Sequence, residues 1–406
     1  MSKPKHRDSE YNDITQHELQ AMRTRFNFAD AHTRQPQSPT QRKIIERLPK
    51  LWYEAEQMSQ HEIEDRFVEA FFRSQRQATA MTTPTMLVYA SSIAMVMVAN
   101  FLSRRKAMVS LVEPCFDNIH DILQNLEVAI DAPLKEDWLH NPDKIYDNLS
   151  ANVKADALFL VEPNNPTGFT LEGTSTQIDQ RKNSYSELIR YAKDHKKLLI
   201  FDFCFSSFLL EDAAPASFDV YKELEESGIS YIIIEDTGKT WPLQDTKVAM
   251  LKTSRDLHDE MYDIHTSYLL NVSPFILNIV TQYVLDSEAD HFASVFDLLK
   301  QNRDMAREVL SGSLLEMQES MANVSVAWFR ISNPDITATA LQKIIQDHEI
   351  YILPGTYFFW SDHSKGEGFI RIALARDIEL FAEGMKALRT TLDSISFNNS
   401  DITIPQ

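Results

Sequence analysis

At 406 residues, with 43% hydrophobic and 24% charged, the chain is too long for one small core and reads as a soluble globular protein of two unequal domains. A formal charge of −19 argues against nucleic acid as a partner and favours cationic small molecules. Nine glycines, without a GxGxxG or GxxxxGKS/T, argue against a nucleotide loop, and Cys115 and Cys204 are too few for a disulfide framework or a Cys-rich zinc site.

The opening "MSKPKHRDSE" lacks the apolar core of a signal peptide, so a reducing, cytoplasmic setting is expected. Residues 1–37 are polar and hold a short amphipathic helix in "TQHELQAMRTRF", where Thr15 and Glu18 have capping-box spacing. With few apolar anchors this arm is expected to be mobile without ligand. "SPTQRKIIERLPKLWYEAEQ" reads as a second helix, started by Ser38-Pro39. "MLVYASSIAMVMVANFL" is shorter than the about 20 residues of a membrane span and is broken by Ser91, Ser92 and Asn100. A buried strand, turn and helix suits it better.

Short, almost continuously apolar runs follow: "AMVSLVEP", "DALFLVEP", "KLLIFDF", "SYIIIED" and "VAMLK". Such runs suit strands covered on both faces, and helical patterns such as "NSYSELIRYAKDH" lie between several of them. The expected fold is α/β, a mostly parallel doubly wound sheet. From about residue 290 the texture changes to long amphipathic helices with half-buried strands in "VSVAWFRI" and "FIRIALA". That pattern predicts a smaller α+β domain. The expected division is an arm or lid at 1–37, a large domain at 38–288, a small domain at 289–398 and a disordered tail at 399–406.

Polar residues cluster where the strands end. "EPNNPTG" follows Val161, "DFCF" follows Leu199-Ile200, and "EDTGK" follows Ile234. Open parallel sheets bind ligands outside the carboxyl ends of their strands. Taken singly, each residue has a plain structural reading: Asp202, Asp236 or Thr237 as a helix cap, Phe116 as core, Arg371 in a surface pair.

Together, Asn165-Pro166-Thr167-Gly168, Asp202, Lys239, Lys247 and Arg371, in this order and spacing, resemble the fold-type I aminotransferases, which use pyridoxal 5'-phosphate (PLP). The resemblance implies that Lys239 carries PLP as a Schiff base, since burial can lower a lysine's pKa and free its amine. It implies that Asp202 keeps the pyridine nitrogen protonated and that Asn165 bonds the phenolic oxygen. Ser91, Ser92, Thr237 and Lys247 would form the phosphate cup, Phe116 would stack on the ring, Cys204 would border it, and Arg371 would clamp the substrate carboxylate. Two departures stand out. Phe205 replaces a tyrosine that bonds the phenolic oxygen, and Lys247 replaces an arginine of the cup.

"FNFADAHTRQPQSP", "EDTGKTWP", "LLNVSPFIL" and "IRIALAR" look like the PLP-dependent arginine oxidases and hydroxylases of natural-product biosynthesis. This resemblance implies L-arginine as substrate, dioxygen as co-substrate, no metal or flavin, and a homodimer. The arm would fold over the substrate, with Thr15, Glu18, Asp30 and Asp236 around the guanidinium and His32 near the reacting carbons. A guanidinium has five donors and no acceptor, so carboxylates suit it. Glu18 has a rival reading as half of the capping box, and His32 as a surface histidine. The implied reaction forms a quinonoid and removes four electrons, giving a dehydroarginine imine or 2-oxo acid with hydrogen peroxide, the imine passing to a downstream imine-processing enzyme. A hydroxylase giving 4-hydroxy-2-oxoarginine and an ordinary aminotransferase are the alternatives.

Overall fold

The apolar runs become the centre of the molecule. In the computed structural model, which describes residues 13–172, 178–210 and 218–397, Met108–Glu113, Ala157–Val161, Leu198–Asp202 and Tyr231–Asp236 are strands, almost wholly buried. The expected tail at 399–406 and residues 1–12 of the expected arm lie outside the described residues. The four strands are mutually parallel neighbours in an eight-stranded sheet, in the order Tyr231–Asp236, Leu198–Asp202, Ala157–Val161, Met108–Glu113. Ala249–Thr253 and then Thr85–Val88 extend one side antiparallel, and Ala129–Ile130 and Leu134–Lys135 extend the other in parallel. The sheet is thus mixed α/β and mostly parallel, as its continuous apolar runs require.

The apolar stretch before "SRRK" is the strand Thr85–Val88 and the helix Ser91–Arg105, which packs on Tyr231–Asp236 and Ala249–Thr253. Among the described residues no helix is long and apolar enough to cross a membrane. Ser38 caps the next expected helix, with Gln41 completing a capping box and Pro39 at its first turn. That helix does not run on: it divides into Pro39–Glu46 and Leu48–Gln57. Pro49 explains the break, because its ring cannot sit inside a continuous helix but is tolerated in a first turn.

A second, antiparallel sheet has the order Leu315–Met317, Val326–Ile331, Phe369–Ala373, Leu353–Pro354. Its strands are more buried than their alternating pattern implies, and the reason is the N-terminal segment. Ile14, Ala21 and Ala29 pack with Trp328, Tyr351, Leu353 and Phe358 in a small apolar cluster of their own. Phe26–Asn27 pairs in parallel with Ile350–Tyr351, and Ala373 donates its N–H to Phe28 O at 2.7 Å. Phe28 lies edge-on to Phe381 at 5.3 Å between centroids. Contrary to the expectation of a weakly anchored arm, residues 26–34 are a strap stitched to the small sheet by backbone hydrogen bonds.

Gly384, on the helix Ile378–Phe397, is what lets the strap lie so close: a Cβ there would sit 2.8 Å from Phe28 Cε2 and 2.9 Å from Phe26 Cδ1. Gly384→Val should therefore lift the strap. Overpacking of this kind costs roughly 1–3 kcal/mol. The expected result is a lower unfolding midpoint together with faster proteolytic cleavage between residues 20 and 37 than elsewhere.

Candidate active site

The carboxyl ends of the four parallel strands open on one cavity of about 290 Å³. Asp202, the last residue of its strand, is 1% exposed. Its Oδ1 accepts the Cys204 N–H at 3.0 Å, while Oδ2 is buried and has no partner among the described residues. Burial pushes this carboxyl up to about 6. Asp236 ends the neighbouring strand, accepting the Gly238 N–H at 2.8 Å on Oδ1 and the Ser91 hydroxyl at 3.1 Å on Oδ2. Lys239 follows on the loop and lines the cavity with Lys247. Ser91 and Ser92 open the helix Ser91–Arg105, so its N-terminal N–H groups face the same space.

Asn165 is held on a turn that the chain clamps from below. Glu136 accepts hydrogen bonds from both Asn164 and Thr167, the second at 2.6 Å. Gly168 adopts φ +69°, and a Cβ there would meet Ser320 Oγ at 2.6 Å and Ala322 O at 2.8 Å. Only glycine suits that crowded, left-handed position.

The small sheet and the N-terminal segment close the other side. Arg371, in the strand Phe369–Ala373, is 1% exposed. It donates from Nη1 to Asn165 Oδ1 at 3.2 Å and from Nη2 to Glu18 Oε1 at 2.9 Å and to Ala29 O. Glu18 is therefore an ion-pair partner of Arg371 and not half of a capping box. Asp13 takes the cap of the helix Ile14–Ala21, accepting the Gln16 N–H at 2.8 Å, which leaves Thr15 inside the first turn and lining the cavity. Asp117 docks this helix by accepting the Ile14 N–H at 2.9 Å. His32 lies with Nε2 3.5 Å from Lys239 Nζ and 3.3 Å from Lys247 Nζ.

Thr15, Glu18, His32, Ser91, Ser92, Phe116, Asn165, Asp202, Cys204, Asp236, Lys239, Lys247 and Arg371 thus share one cavity. Thr237 and Asp30 do not line it. Thr237 is fully buried and spends its hydroxyl on the loop's own backbone, donating to Val248 O at 3.0 Å and accepting the Val248 N–H at 2.9 Å. Asp30 lies behind His32, with both oxygens already taken by His32 and Arg34. Six further wall residues, Ile14, Ala31, Ala90, Met95, Asn118 and Val161, carried no chemical signal in the sequence; Phe205 also borders the cavity and offers no hydroxyl.

The residues fit PLP. Asp202 Oδ2 is an unpartnered buried acceptor of the kind a pyridinium N–H satisfies, a lysine amine stands in the same cavity, and a helix N-terminus with a second lysine suits a phosphate. A family model, "Aminotransferase class I and II", matches residues 55–388. The chain belongs to this family. Its members on this fold are PLP enzymes.

The solved structure of MppP soaked with the product 2-ketoarginine aligns with this aminotransferase-family chain at a TM-score of 0.79 and 32% identity, over 90% of this chain and 99% of that one. Aspartate aminotransferase from Thermus thermophilus with maleate aligns at 0.73 and 12% identity, over 94% and 97%, and shares the fold alone. LL-diaminopimelate aminotransferase of Desulforudis audaxviator (strain MP104C) is 20% identical over 60% of this chain and 58% of its own length. Transaminase BacF of Bacillus subtilis (strain 168) is 21% identical over 65% and 63%. The chain therefore spans about six tenths of the length of these curated relatives.

Burial pushes the Asp117 carboxyl up from 3.8 to about 8. Its protonated form is favoured in the fold, so the stability it contributes is full below about pH 4 and is lost as the pH rises through about 8. Asp117→Asn keeps an oxygen for the Ile14 N–H and removes the titration. Between pH 5 and 8 the wild-type chain should lose stability more steeply than Asp117→Asn, by up to about 1.4 kcal/mol per pH unit, measured by chemical unfolding at each pH.

Proposed function

We propose that this chain is a PLP- and dioxygen-dependent oxidase of L-arginine. The observation that carries the reading is the charge layout of the cavity: one buried guanidinium, Arg371, with the carboxylates Glu18 and Asp236 in the same enclosure. A substrate with a carboxylate at one end and a cation at the other complements both. The 32% identity to MppP, whose solved structure is titled with 2-ketoarginine as product, supports the same reading.

In this proposal Lys239 holds PLP, Asp202 bonds its ring nitrogen, Asn165 its phenolic oxygen, and Ser91, Ser92 and Lys247 its phosphate, with Phe116 and Cys204 against the ring. When bound, PLP supplies an electron sink that stabilises negative charge at the substrate α-carbon. Arg371 takes the substrate carboxylate. That exchange releases Glu18 from its present partner, and Glu18, Thr15 and Asp236 then receive the guanidinium, so both ends of arginine are needed for the lid helix to be repaid its lost ion pair. The free amine of Lys239 removes the α-proton, and the closed lid keeps water from the reacting carbons. Phe205 offers no hydroxyl, which leaves Asn165 as the side chain for the phenolic oxygen. Removal of four electrons reduces two dioxygen molecules to two hydrogen peroxide molecules and yields a dehydroarginine imine, hydrolysed to its 2-oxo acid or passed to an imine-processing enzyme.

An ordinary aminotransferase is the second reading, favoured by the names of the curated relatives. Incubation with arginine alone separates the two. The oxidase consumes dioxygen and forms peroxide and a product lacking four hydrogens. A hydroxyl oxygen on the side chain, beyond the 2-oxo group that imine hydrolysis gives, identifies the hydroxylase, and a requirement for a 2-oxo acid with no oxygen uptake sinks the oxidase.

Lys239→Ala should lose turnover and the borohydride-fixed link to PLP while still folding; a link that persists through another lysine overturns that assignment. Arg371→Ala should weaken every amino acid. Asp236→Asn should weaken arginine by tenfold or more and norleucine far less, since losing one partner of a desolvated charge pair costs about 2–5 kcal/mol. Equal losses for the two ligands remove Asp236 from the guanidinium site.

The active species is proposed to be a homodimer. Supporting this, Tyr268 and Leu270 stand 47% and 93% exposed on the segment that donates the Ser273 N–H to Tyr89, next to the Ser91 turn. Sedimentation of the active enzyme should give twice the 46.7 kDa of one chain.

A further inference from the structure

His32 stands on the cavity wall, and its support comes from the strap. Arg376, buried, donates from Nε to Asn27 O at 2.7 Å, from Nη1 to His32 O at 2.9 Å, and from Nη2 to Asp30 O. Asn27 Oδ1 accepts the N–H groups of Ala29 and Asp30 at 3.1 and 3.2 Å. Asp30, 2% exposed, accepts the His32 N–H at 2.9 Å and faces His32 Nδ1 at 2.5 Å with Oδ1. Its Oδ2 accepts Arg34 Nε at 3.0 Å and Nη2 at 2.8 Å. Burial opposes its ionisation, but the hydrogen bonds from His32 and the charge of Arg376 favour the carboxylate and hold the carboxyl well below the usual range.

The two ring nitrogens therefore face opposite chemistries. An ionised carboxylate has no proton to give, so the proton between Asp30 and the ring sits on Nδ1. Two lysines face Nε2, and an ammonium can only donate, so Nε2 presents its lone pair to them. Asp245 Oδ1 also lies 3.9 Å from Nε2 and 3.6 Å from Lys247 Nζ, but it is 61% exposed and screened by water.

We propose that Asp30 is a positioning residue: it holds His32 as the Nδ1–H tautomer and aims Nε2 to accept a proton from Lys239. In that step an Nζ–H bond breaks and an Nε2–H bond forms, the electron pair stays on Nζ, and the imidazolium produced is paired with Asp30. The step returns Lys239 to its free-base form after it has taken a substrate proton, so it rests on the reading of Lys239 as the base. It also accounts for Asp30 standing behind His32 and not among the cavity's lining residues.

Histidine-selective 15N NMR of the full-length protein, with His32→Gln used to assign the signal, reads the tautomer directly. The wild-type ring should carry its proton on Nδ1. In Asp30→Asn the amide N–H can donate to Nδ1 and move the ring proton to Nε2, as a carboxylate-to-amide change does in a serine-protease triad. The same variant should lose at least about tenfold in kcat with KM for arginine within about threefold, the signature of lost proton transfer and not lost binding. A wild-type proton on Nε2 overturns the proposal, and this measurement stands even where Asp30→Asn does not fold. A rise in KM for arginine with kcat intact makes Asp30 a substrate ligand and also overturns it, as does a variant with unchanged tautomer and kcat. If the protein oxidises no arginine at all, the tautomer still decides the role of Asp30, which separates failure of this proposal from failure of the oxidase reading.

Discussion

A guanidinium buried to 1% exposure must find acceptors, and Arg371 draws them from three separate parts of the chain: Glu18 on the lid helix, Ala29 on the strap and Asn165 on the turn after a central strand. An unpaired charge in that position would cost several kcal/mol, and burial already lowers the affinity of Arg371 for its proton. The ring of Phe358 lies 5.2 Å below it, adding apolar contact on the face that carries no donor. The small sheet, the N-terminal segment and the large sheet's ligand edge are thereby bound to one another by a single side chain. A substrate carboxylate bound there, as proposed, would compete with Glu18 for the same nitrogens and so couple the N-terminal helix to the ligand.

The N-terminal segment has two parts with different physics. The strap Phe26–Arg34 is fixed by backbone pairing with Ile350–Tyr351 and by the notch at Gly384, so opening it means breaking a small piece of sheet. The lid helix Ile14–Ala21 is attached by side chains: Asp117 at its first N–H, His17 on the Tyr351 hydroxyl at 2.7 Å, and Glu18 on Arg371. Such contacts are few and electrostatic in part, and they are the ones that pH and bound ligands can change.

Membership of the aminotransferase family points to PLP as the cofactor but leaves the reaction open, because one fold serves many chemistries. What sets this cavity apart from a plain amino-acid site is local: Phe205 without a hydroxyl, a histidine between two lysines, and carboxylates opposite an arginine. The net charge of −19 agrees with a cationic substrate but says nothing about where the acids converge.

The sheet was legible in the sequence because its strands are buried on both faces and so read as unbroken apolar runs. That Asp202, Asn165 and Lys239 share one edge could be expected from the strand pattern, since a parallel sheet brings its strand ends together whatever the details of packing, whereas Arg371 lies on the antiparallel small sheet and was placed beside them only by the family resemblance. The helix break at Arg47 was missed, the segment being read as one helix, although its cause, Pro49, stands in the sequence. The rest depended on contacts between residues far apart in the chain. Nothing local distinguishes Asp13 from Thr15 as the cap, and Glu18 could be judged only once Arg371 stood beside it, 353 residues away. The polar arm was expected to be loose because its composition is polar. Tertiary structure made it a strap, because a few apolar residues, a parallel pair of backbone segments and a glycine on a distant helix fit together, and shape complementarity of that kind has no periodicity to read.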